Sequence, residues 1–267
     1  MLYKTPHKLW LTQYVPFIIF LKPFLKTMIQ KLLSILLTIS LFCLLFAHPA
    51  YATTADYYDV GFLPYEGNYI NTKFEEIPNA YARGIDVSVY QGKIDWEAVA
   101  KDDISFAFIR CGASSSGPDT AYDYNAEQAT ANGIAIGVYY RTLAKNKEMA
   151  ELEALYTVQC AQRYHVTLPL IIDVEGSSMA ELGKDRLKEI VSTFCDTVEK
   201  YGYESMIYAS KSFMENYIDD VPYRKWIAQY GDYCTYTGEH MECWQCSSHG
   251  CVMGIEGRVD IDIIFET

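Results

Sequence analysis

The segment Leu170-Ile171-Ile172-Asp173-Val174-Glu175-Gly176 decides the fold prediction, because a short apolar run ends in two acidic residues. A short apolar run bounded by polar residues is typical of a buried strand. Comparable runs recur along the chain and alternate with longer segments of helical period. The pattern predicts strands over 84–88, 106–110, 134–140, 170–174, 205–209, 225–229, 243–247 and 260–265.

Helical segments fill most of the gaps between these strands. They are predicted to begin after Asp95 and to run over 124–132, 148–164, 184–201 and 213–217. Only loops separate the last three strands. Eight strands in this arrangement predict an α/β fold of one domain, a (β/α)8 barrel whose last helices are reduced or lost. A doubly wound open sheet is the alternative, but no glycine-rich dinucleotide or phosphate loop follows the first strand.

Residues 1–52 have the outline of a signal peptide or leader. They contain five lysines and no arginine or acidic residue, an apolar run over 32–47, and a small-x-small site at Ala50-Tyr51-Ala52. Starting at Met28 would give a leader of ordinary length. A retained membrane anchor is the alternative, although the 16-residue run is shorter than the about 20 residues of a usual span. Both versions predict an extracellular domain, secreted or associated with the cell wall, with membrane attachment only if the leader is retained.

The part of the chain after the leader is strongly acidic. Removing five lysines from a chain of net charge −12 leaves −17. An acidic surface does not attract phosphate polymers, so nucleic acid is not an expected partner. Residues 53–81 are rich in Tyr, Asn, Asp and Glu without sustained periodicity, which predicts a linker or an N-terminal arm lying on the domain. The barrel is predicted over 82–267, as a monomer.

Seven cysteines follow the leader, and an odd number implies at least one free thiol. Cys111 and Cys195 lie in apolar patterns, which predicts that both are buried. Four of the seven cysteines lie close together in the sequence, namely Cys234, Cys243, Cys246 and Cys251. In an exported chain such a cluster favours disulfides. His240 and His249 keep a zinc site as the alternative, but the two CxxC pairs of a structural site are missing, and we predict no metal or cofactor.

Asp173 and Glu175 are the strongest candidates for chemistry. Side chains at positions i and i+2 of a strand point to the same side, which places the two carboxyl groups roughly 6–7 Å apart. Glycoside hydrolysis needs a protonated acid at the leaving oxygen and a second group at the anomeric carbon. The end of a buried barrel strand is the catalytic rim. A solvated strand end or a helix-capping acid is the alternative interpretation of such a pair.

Further acids occupy comparable positions on other predicted strands. Asp86 lies in the first strand, where burial of an unpaired acid would be costly. Asp260 begins the last strand, and Asp262, which shares its face, is a candidate for substrate binding. A structural salt bridge is the alternative for each of them.

Aromatic and amide side chains on or beside the predicted strands suit a sugar substrate. Aromatic faces bury the apolar C–H surface of sugar rings. The aromatic candidates are Tyr139, Tyr140, Tyr208, Trp226, Tyr230 and Trp244. Core packing is the alternative for any one of them, most of all for Tyr139. Gln229 and Gln245, each close to a tryptophan, are candidate partners of sugar hydroxyl or acetamido groups.

An ordered series of sequence blocks resembles the family 25 glycoside hydrolases over roughly residues 82–265. The blocks are Gly84-Ile85-Asp86-Val87-Ser88 with Gln91-Gly92, Phe108-Ile109-Arg110, Gly137-Val138-Tyr139-Tyr140, the run from Leu168 to Glu175, Gly202-Tyr203 with Ile207-Tyr208-Ala209-Ser210, the run from Trp226 to Tyr230, Trp244-Gln245, and Gly254-Ile255 with Val259-Asp260. Each block alone is weakly specific, whereas their order along the chain is strongly specific. The sequence departs from the family at Cys246, where an aromatic residue is common.

The resemblance implies a lysozyme (N-acetylmuramidase) that cuts the β-1,4 bond between N-acetylmuramic acid and N-acetylglucosamine in bacterial peptidoglycan. It also implies an irregular barrel of five β/α units followed by three strands. Glu175 matches the general acid, and Asp173 matches the acid that stabilises the transition state or orients the acetamido group. Asp86 and Asp260 match the other two active-site carboxylates. The spacing fits inversion or retention; a non-catalytic glycan-binding barrel and a chitinase-like hydrolase are the alternative functions.

Overall fold

The computed structural model of the chain describes residues 61–266 together with Met28. Residues 61–266 belong to the compact unit Tyr57–Thr267. The predicted leader cleavage site and the apolar run before it lie outside the described residues. In the part of the chain that is described, no helix is long and apolar enough to cross a membrane.

Within the described residues, strands occur at all eight predicted positions, and three short strands are additional. In chain order they are β1 (Leu63–Tyr65), β2 (Asn68–Ile70), β3 (Ala80–Val87), β4 (Phe106–Ala113), β5 (Gly117–Pro118), β6 (Ala135–Arg141), β7 (Leu170–Asp173), β8 (Ser205–Ser210), β9 (Arg224–Ala228), β10 (Met241–Gly250) and β11 (Val259–Phe265). Eight of them, all except β1, β2 and β5, form a closed barrel. Pairing is parallel from β3 through β10, whereas β11 runs antiparallel to both β10 and β3 and closes the barrel.

The helices follow the first five barrel strands. They are α1 (Trp96–Val99), α2 (Tyr122–Ala131), α3 (Lys147–Ala161), α4 (Ser177–Ala180), α5 (Lys184–Lys200) and α6 (Lys211–Phe213), with a π-helical turn over Met214–Ile218. Within the described residues, no helix separates β9, β10 and β11. The α/β barrel of five β/α units followed by three strands is therefore confirmed.

The barrel interior is filled by one face of each strand. Phe106, Phe108, Tyr139, Ile171, Met206, Trp226 and Cys243 form this inner cluster. Gly84 makes room for Phe106, since a Cβ atom at Gly84 would lie 2.5 Å from the Phe106 ring. The opposite strand faces pack against the helices in a larger apolar cluster. The alternation fixes which residues at the strand ends point inward.

Residues 61–79, the described part of the N-terminal arm, lie on the barrel domain. β1 and β2 form a hairpin whose two-residue turn, Glu66-Gly67, has positive φ values of 51° and 87°. Phe62 is 1% exposed and packs edge-on against Trp244, with 5.7 Å between the ring centroids. The buried Asn71 side chain donates a hydrogen bond of 3.2 Å to the carbonyl oxygen of Asp232. This part of the arm therefore contacts the β9–β10 loop, residues 229–240.

The cysteines contradict the disulfide prediction. None of the seven in residues 61–266 is bonded to another cysteine. Cys243 points into the barrel interior, whereas Cys246 packs in the outer cluster and its Sγ lies 3.2 Å from the carbonyl oxygen of Ile261. The two thiols therefore lie on opposite faces of β10. The predicted burial of Cys111 and Cys195 is confirmed.

Candidate active site

A cleft opens at the end of the barrel where the parallel strands finish. Its lining is formed by Asp86, Ser88, Tyr90, Gln91, Arg110, Tyr139, Arg141, Asp173, Glu175, Tyr208, Trp226, Tyr230, Gln245 and Asp260. The lining contains all four of the acids proposed from the sequence for catalysis. It also contains five of the nine residues proposed for substrate binding. The strand ends that the apolar pattern predicted as the catalytic rim thus line this cleft.

Asp173 and Glu175 reach the cleft because successive side chains along β7 point alternately into and out of the barrel. Ile171 lies in the inner cluster, Ile172 and Val174 lie in the outer one, and the two acids follow Ile171 at spacings of two. The backbone N–H of Val174 donates to the carbonyl oxygen of Tyr208 at 3.0 Å, which continues the strand pairing beyond Asp173.

Asp173 lines the cleft but is almost entirely buried. Its exposure is 5%, and its buried Oδ1 atom has no hydrogen-bond partner among the described residues. Burial raises the pKa of Asp173 well above its usual value, and the negative charge of Glu175 adds to the increase. The positive charges of Arg141 and Arg110 oppose that increase.

Three more acids converge from β3 and β11. Asp86 and Asp260 are direct register partners on these antiparallel strands, and Asp262 pairs with Gly84. Burial, with the charges of Asp260 and Asp262, raises the pKa of Asp86 well above its usual value. Burial and the charge of Glu175 raise the pKa of Asp260 to about 6. Like charges crowded in a poorly solvated place favour protonated carboxyl groups.

Gln245 on β10 connects the acids to the aromatic side of the cleft. Its Nε2 donates to Oδ2 of Asp86 at 2.7 Å. Its Oε1 accepts hydrogen bonds from the hydroxyl groups of Tyr208 at 2.9 Å and Tyr230 at 3.1 Å. Tyr230 is 58% exposed, so it presents much of its ring to solvent at the cleft mouth.

Trp226 forms an aromatic floor below these groups. Its ring centroid lies 4.3 Å from that of Tyr208 and 6.2 Å from that of Tyr139. The indole Nε1 donates to Oδ1 of Asp262 at 2.8 Å. Asp262 is fully buried, and burial with the charge of Asp260 raises its pKa well above the usual value. The structure therefore places Asp262 beneath the cleft, where it anchors Trp226.

Besides Asp262, three residues proposed for substrate binding lie outside the cleft lining. Tyr140 points away from the barrel interior and packs edge-on against Tyr156. Trp244 is 1% exposed in the outer cluster, and its Nε1 donates to the carbonyl oxygen of Gln229. The side chain of Gln229 bonds to Thr235 within the β9–β10 loop. Their structural contacts are with the outer core and the loop.

Two arginines at the cleft were not predicted from the sequence. Arg110 inside β4 is 8% exposed and bonds through Nε to Oδ2 of Asp119 at 2.8 Å. Arg141 at the end of β6 lies with its Nε 2.8 Å from Oε1 of Glu175. Both follow an inward-facing residue at a spacing of two, Arg110 after Phe108 on β4 and Arg141 after Tyr139 at the end of β6. The same rule that identified Asp173 would have found them.

The arrangement provides the groups that glycoside hydrolysis requires. Glu175, with its side chain 40% exposed, can exchange protons with solvent, whereas Asp173 is enclosed beside it. Two carboxyl groups in such different surroundings suit different roles. The aromatic rings and Gln245 supply apolar and hydrogen-bonding surfaces for a sugar chain.

Comparison with known proteins identifies the family of the chain. The model of the glycosyl hydrolases family 25 matches residues 85–255. The chain is 30% identical over 199 residues to the uncharacterized protein YegX of Escherichia coli K12, covering 70% of this chain and 71% of YegX. It is 26% identical over 192 residues to the autolytic lysozyme of Clostridium acetobutylicum, covering 67% of this chain and 55% of that protein.

Solved structures share the fold. The modular autolysin LytC from Streptococcus pneumoniae, in complex with a synthetic peptidoglycan ligand, gives a TM-score of 0.66 at 24% identity, covering 77% of this chain and 52% of that chain. The chain thus spans about half the length of that autolysin. The bacterial lysozyme from Streptomyces coelicolor gives a TM-score of 0.60 at 23% identity, covering 70% of this chain and 92% of that chain. With the family model matching well over half of its residues, the chain belongs to the glycosyl hydrolases family 25.

Proposed function

We propose that the protein is a lysozyme that cleaves the β-1,4 bond between N-acetylmuramic acid and N-acetylglucosamine in peptidoglycan. The observation that carries the proposal is the pair Asp173 and Glu175, which faces the cleft beside Asp86 and Asp260. Family membership adds the reaction class. Lysozyme and autolysin relatives, one of them bound to a synthetic peptidoglycan ligand, support peptidoglycan as the substrate.

Glu175 acts in this proposal as the general acid. Its partly exposed side chain can collect a proton from solvent and pass it to the leaving glycosidic oxygen. Proton transfer there lets the bond to the anomeric carbon break while positive charge develops on the sugar ring.

Asp173 acts in this proposal beside the anomeric carbon, where positive charge develops on the sugar. The Oδ1 atom that lacks a partner among the described residues is an acceptor for a substrate N–H group such as that of an acetamido substituent. As the carboxylate, Asp173 would also stabilise the positive charge at the anomeric carbon. Arg110 and Arg141 favour that ionised form, against the larger effects of burial and of the Glu175 charge in the free cleft.

Asp86 and Asp260 complete the acidic wall of the site. Gln245 holds Asp86 in place, and Tyr208 and Tyr230 hold Gln245. In the proposal these groups bind sugar hydroxyl and acetamido substituents, with Trp226 and Tyr139 below the ring. The enzyme acts outside the cytoplasm, where peptidoglycan is accessible.

Product masses provide the test of bond specificity. Purified peptidoglycan and N-acetylglucosamine oligomers are digested, reduced with borohydride and analysed by mass spectrometry. A lysozyme leaves N-acetylmuramic acid at the new reducing end. New reducing ends on N-acetylglucosamine, or cleavage of the chitin oligomers alone, would overturn the assignment, and binding without new reducing ends would indicate a glycan-binding barrel.

A further inference from the structure

Arg141 makes a direct contact with the proposed general acid. It ends β6, where it is the register partner of Asp173 on β7. Its Nε lies 2.8 Å from Oε1 of Glu175, and the two side chains are 44% and 40% exposed. Both line the cleft. The ion pair is therefore open to solvent and to a bound glycan.

This contact opposes the chemistry assigned to Glu175. A general acid must carry a proton, whereas a positive charge at hydrogen-bond distance favours the ionised carboxylate. The other titratable groups that interact with Glu175 come from three elements: Asp173 on β7, Tyr208 on β8 and Asp260 on β11, with Tyr230 in the β9–β10 loop. All of these are acids or phenols. Arg141 is thus the cation that pairs with Glu175 in the free cleft.

The second cleft arginine is not available for the same role. Arg110 is buried and bonded to Asp119, whose side chain is 1% exposed. Asp119 also accepts a hydrogen bond from the backbone N–H of Val89 at 3.1 Å. The Arg110 head group also lies over the ring of Tyr90. Arg110 is therefore fixed by the protein, whereas Arg141 is held by a half-exposed partner.

A glycan carboxylate is the chemical group that would compete with Glu175 for Arg141. The Arg141 contact runs through Nε, and a guanidinium group can bind a carboxylate in a bidentate manner through Nε and a terminal nitrogen, so a glycan carboxylate bound in this way would take the place of Glu175. Acidic glycans built on N-acetylmuramic acid carry such a group. It is the lactyl carboxylate when no peptide is attached, or a peptide carboxylate when one is. N-acetylglucosamine oligomers carry none.

We propose that Arg141 is a specificity-determining residue that exchanges Glu175 for a carboxylate of the bound glycan. The exchange frees Glu175 to take a proton from solvent, which it then donates to the leaving oxygen. An acidic glycan thus completes its own catalytic site, and a neutral glycan leaves the ion pair of Arg141 with Glu175 in place. This inference rests on the proposed function and names how that site selects its substrate.

The test compares Arg141→Gln and Arg141→Lys with a matched control. Arg186→Gln removes an arginine of similar exposure, 47% against 44%, that pairs with Glu189 on α5. Three substrates are used: peptide-free oligomers of N-acetylmuramic acid and N-acetylglucosamine, peptide-bearing peptidoglycan fragments, and N-acetylglucosamine oligomers. The measurement is kcat/KM against pH, or the dissociation constant for any substrate that is not turned over.

The R141Q variant should lower the ratio of acidic to neutral kcat/KM by about tenfold to a hundredfold, the value of one charge-assisted hydrogen bond. R141K should retain part of the ratio, and R186Q should retain all of it. If the ratio falls for only one of the two acidic substrates, that substrate carries the carboxylate that Arg141 binds.

A ratio that stays within twofold of the wild type in R141Q would overturn the inference, as would an equal loss on acidic and neutral glycans. Failure of the proposed function looks different. The wild type would then cleave neither acidic substrate, while the dissociation constants would still measure the preference of Arg141.

Discussion

Gln245 donates a hydrogen bond of 2.7 Å from its Nε2 to Oδ2 of Asp86, although the two residues lie on strands that are not neighbours. The contact spans β11, which separates β10 from β3 in the barrel. At the same time Gln245 accepts hydrogen bonds from Tyr208 and Tyr230. One buried amide therefore connects Asp86 with Tyr208 beside the aromatic floor and with Tyr230 at the cleft mouth.

Replacing Gln245 with Leu should lower both stability and activity. The substitution keeps the volume but leaves Asp86 and two tyrosine hydroxyl groups short of a partner. We expect the free energy of unfolding to fall by about 1–3 kcal/mol, measured by urea denaturation. Gln162→Leu, at the exposed end of α3, is the control and should change stability by less than about 0.5 kcal/mol. Equal denaturation midpoints for Q245L and the wild type would show that this network contributes nothing to stability.

The raised pKa of Asp260 predicts that this residue contributes to stability in a pH-dependent way. Its pKa is raised from an ordinary 3.8 to about 6 by burial and by the charge of Glu175. Between these two values the folded protein binds the proton more tightly than the unfolded chain does. The stabilisation is therefore complete below about pH 4 and is lost as the pH rises through 6.

Asp260→Asn tests this dependence because asparagine does not titrate. The stability of the wild type relative to D260N should fall by about 1–3 kcal/mol between pH 4 and pH 7. Urea denaturation of both proteins at pH 4, 5, 6 and 7 gives the difference directly. A difference that is independent of pH, or that changes in the opposite direction, would contradict the assigned shift.

The N-terminal arm should contribute to the stability of the barrel domain. Phe62 is 1% exposed against Trp244, so Phe62→Ala creates a cavity under the arm. We expect a loss of about 3 kcal/mol in the free energy of unfolding. Phe74→Ala is the matched control, because Phe74 is 69% exposed in the same arm. If both variants unfold at the same denaturant concentration, the arm is not part of the cooperative unit.

Much of the fold follows from strand periodicity. All eight barrel strands were predicted within a few residues, because buried strands of a barrel are nearly continuous apolar runs. β1 and β2 were missed for a physical reason. Each has three residues, all exposed or half-buried, and their turn is Glu66-Gly67, which is a weaker hairpin signal than Asn-Gly.

Site residues were predictable wherever we used the alternation of inward and outward side chains along a strand. Asp173 and Glu175 were found because residues two apart share a face. Applied to β10, the same rule places Gln245 with the inward Cys243 and turns Trp244 outward. Applied to β6, it turns Tyr140 outward and Arg141 inward. Aromatic character alone could not make that distinction, because both faces of a barrel wall are apolar.

Long-range contacts were beyond the sequence. The ion pair of Arg141 with Glu175 depends on how far the two side chains extend beyond neighbouring strand ends. The contact of Asn71 with Asp232 joins segments 161 residues apart. Neither contact leaves a local pattern, so each required the assembled barrel.

The most direct test of the central claim is the rate of peptidoglycan hydrolysis by Glu175→Gln. Glutamine keeps the shape of the side chain but cannot donate the proton, so clearing of a purified cell-wall suspension should fall by about 10²- to 10⁴-fold with an unchanged circular dichroism spectrum. Clearing by E175Q at the wild-type rate would contradict the account.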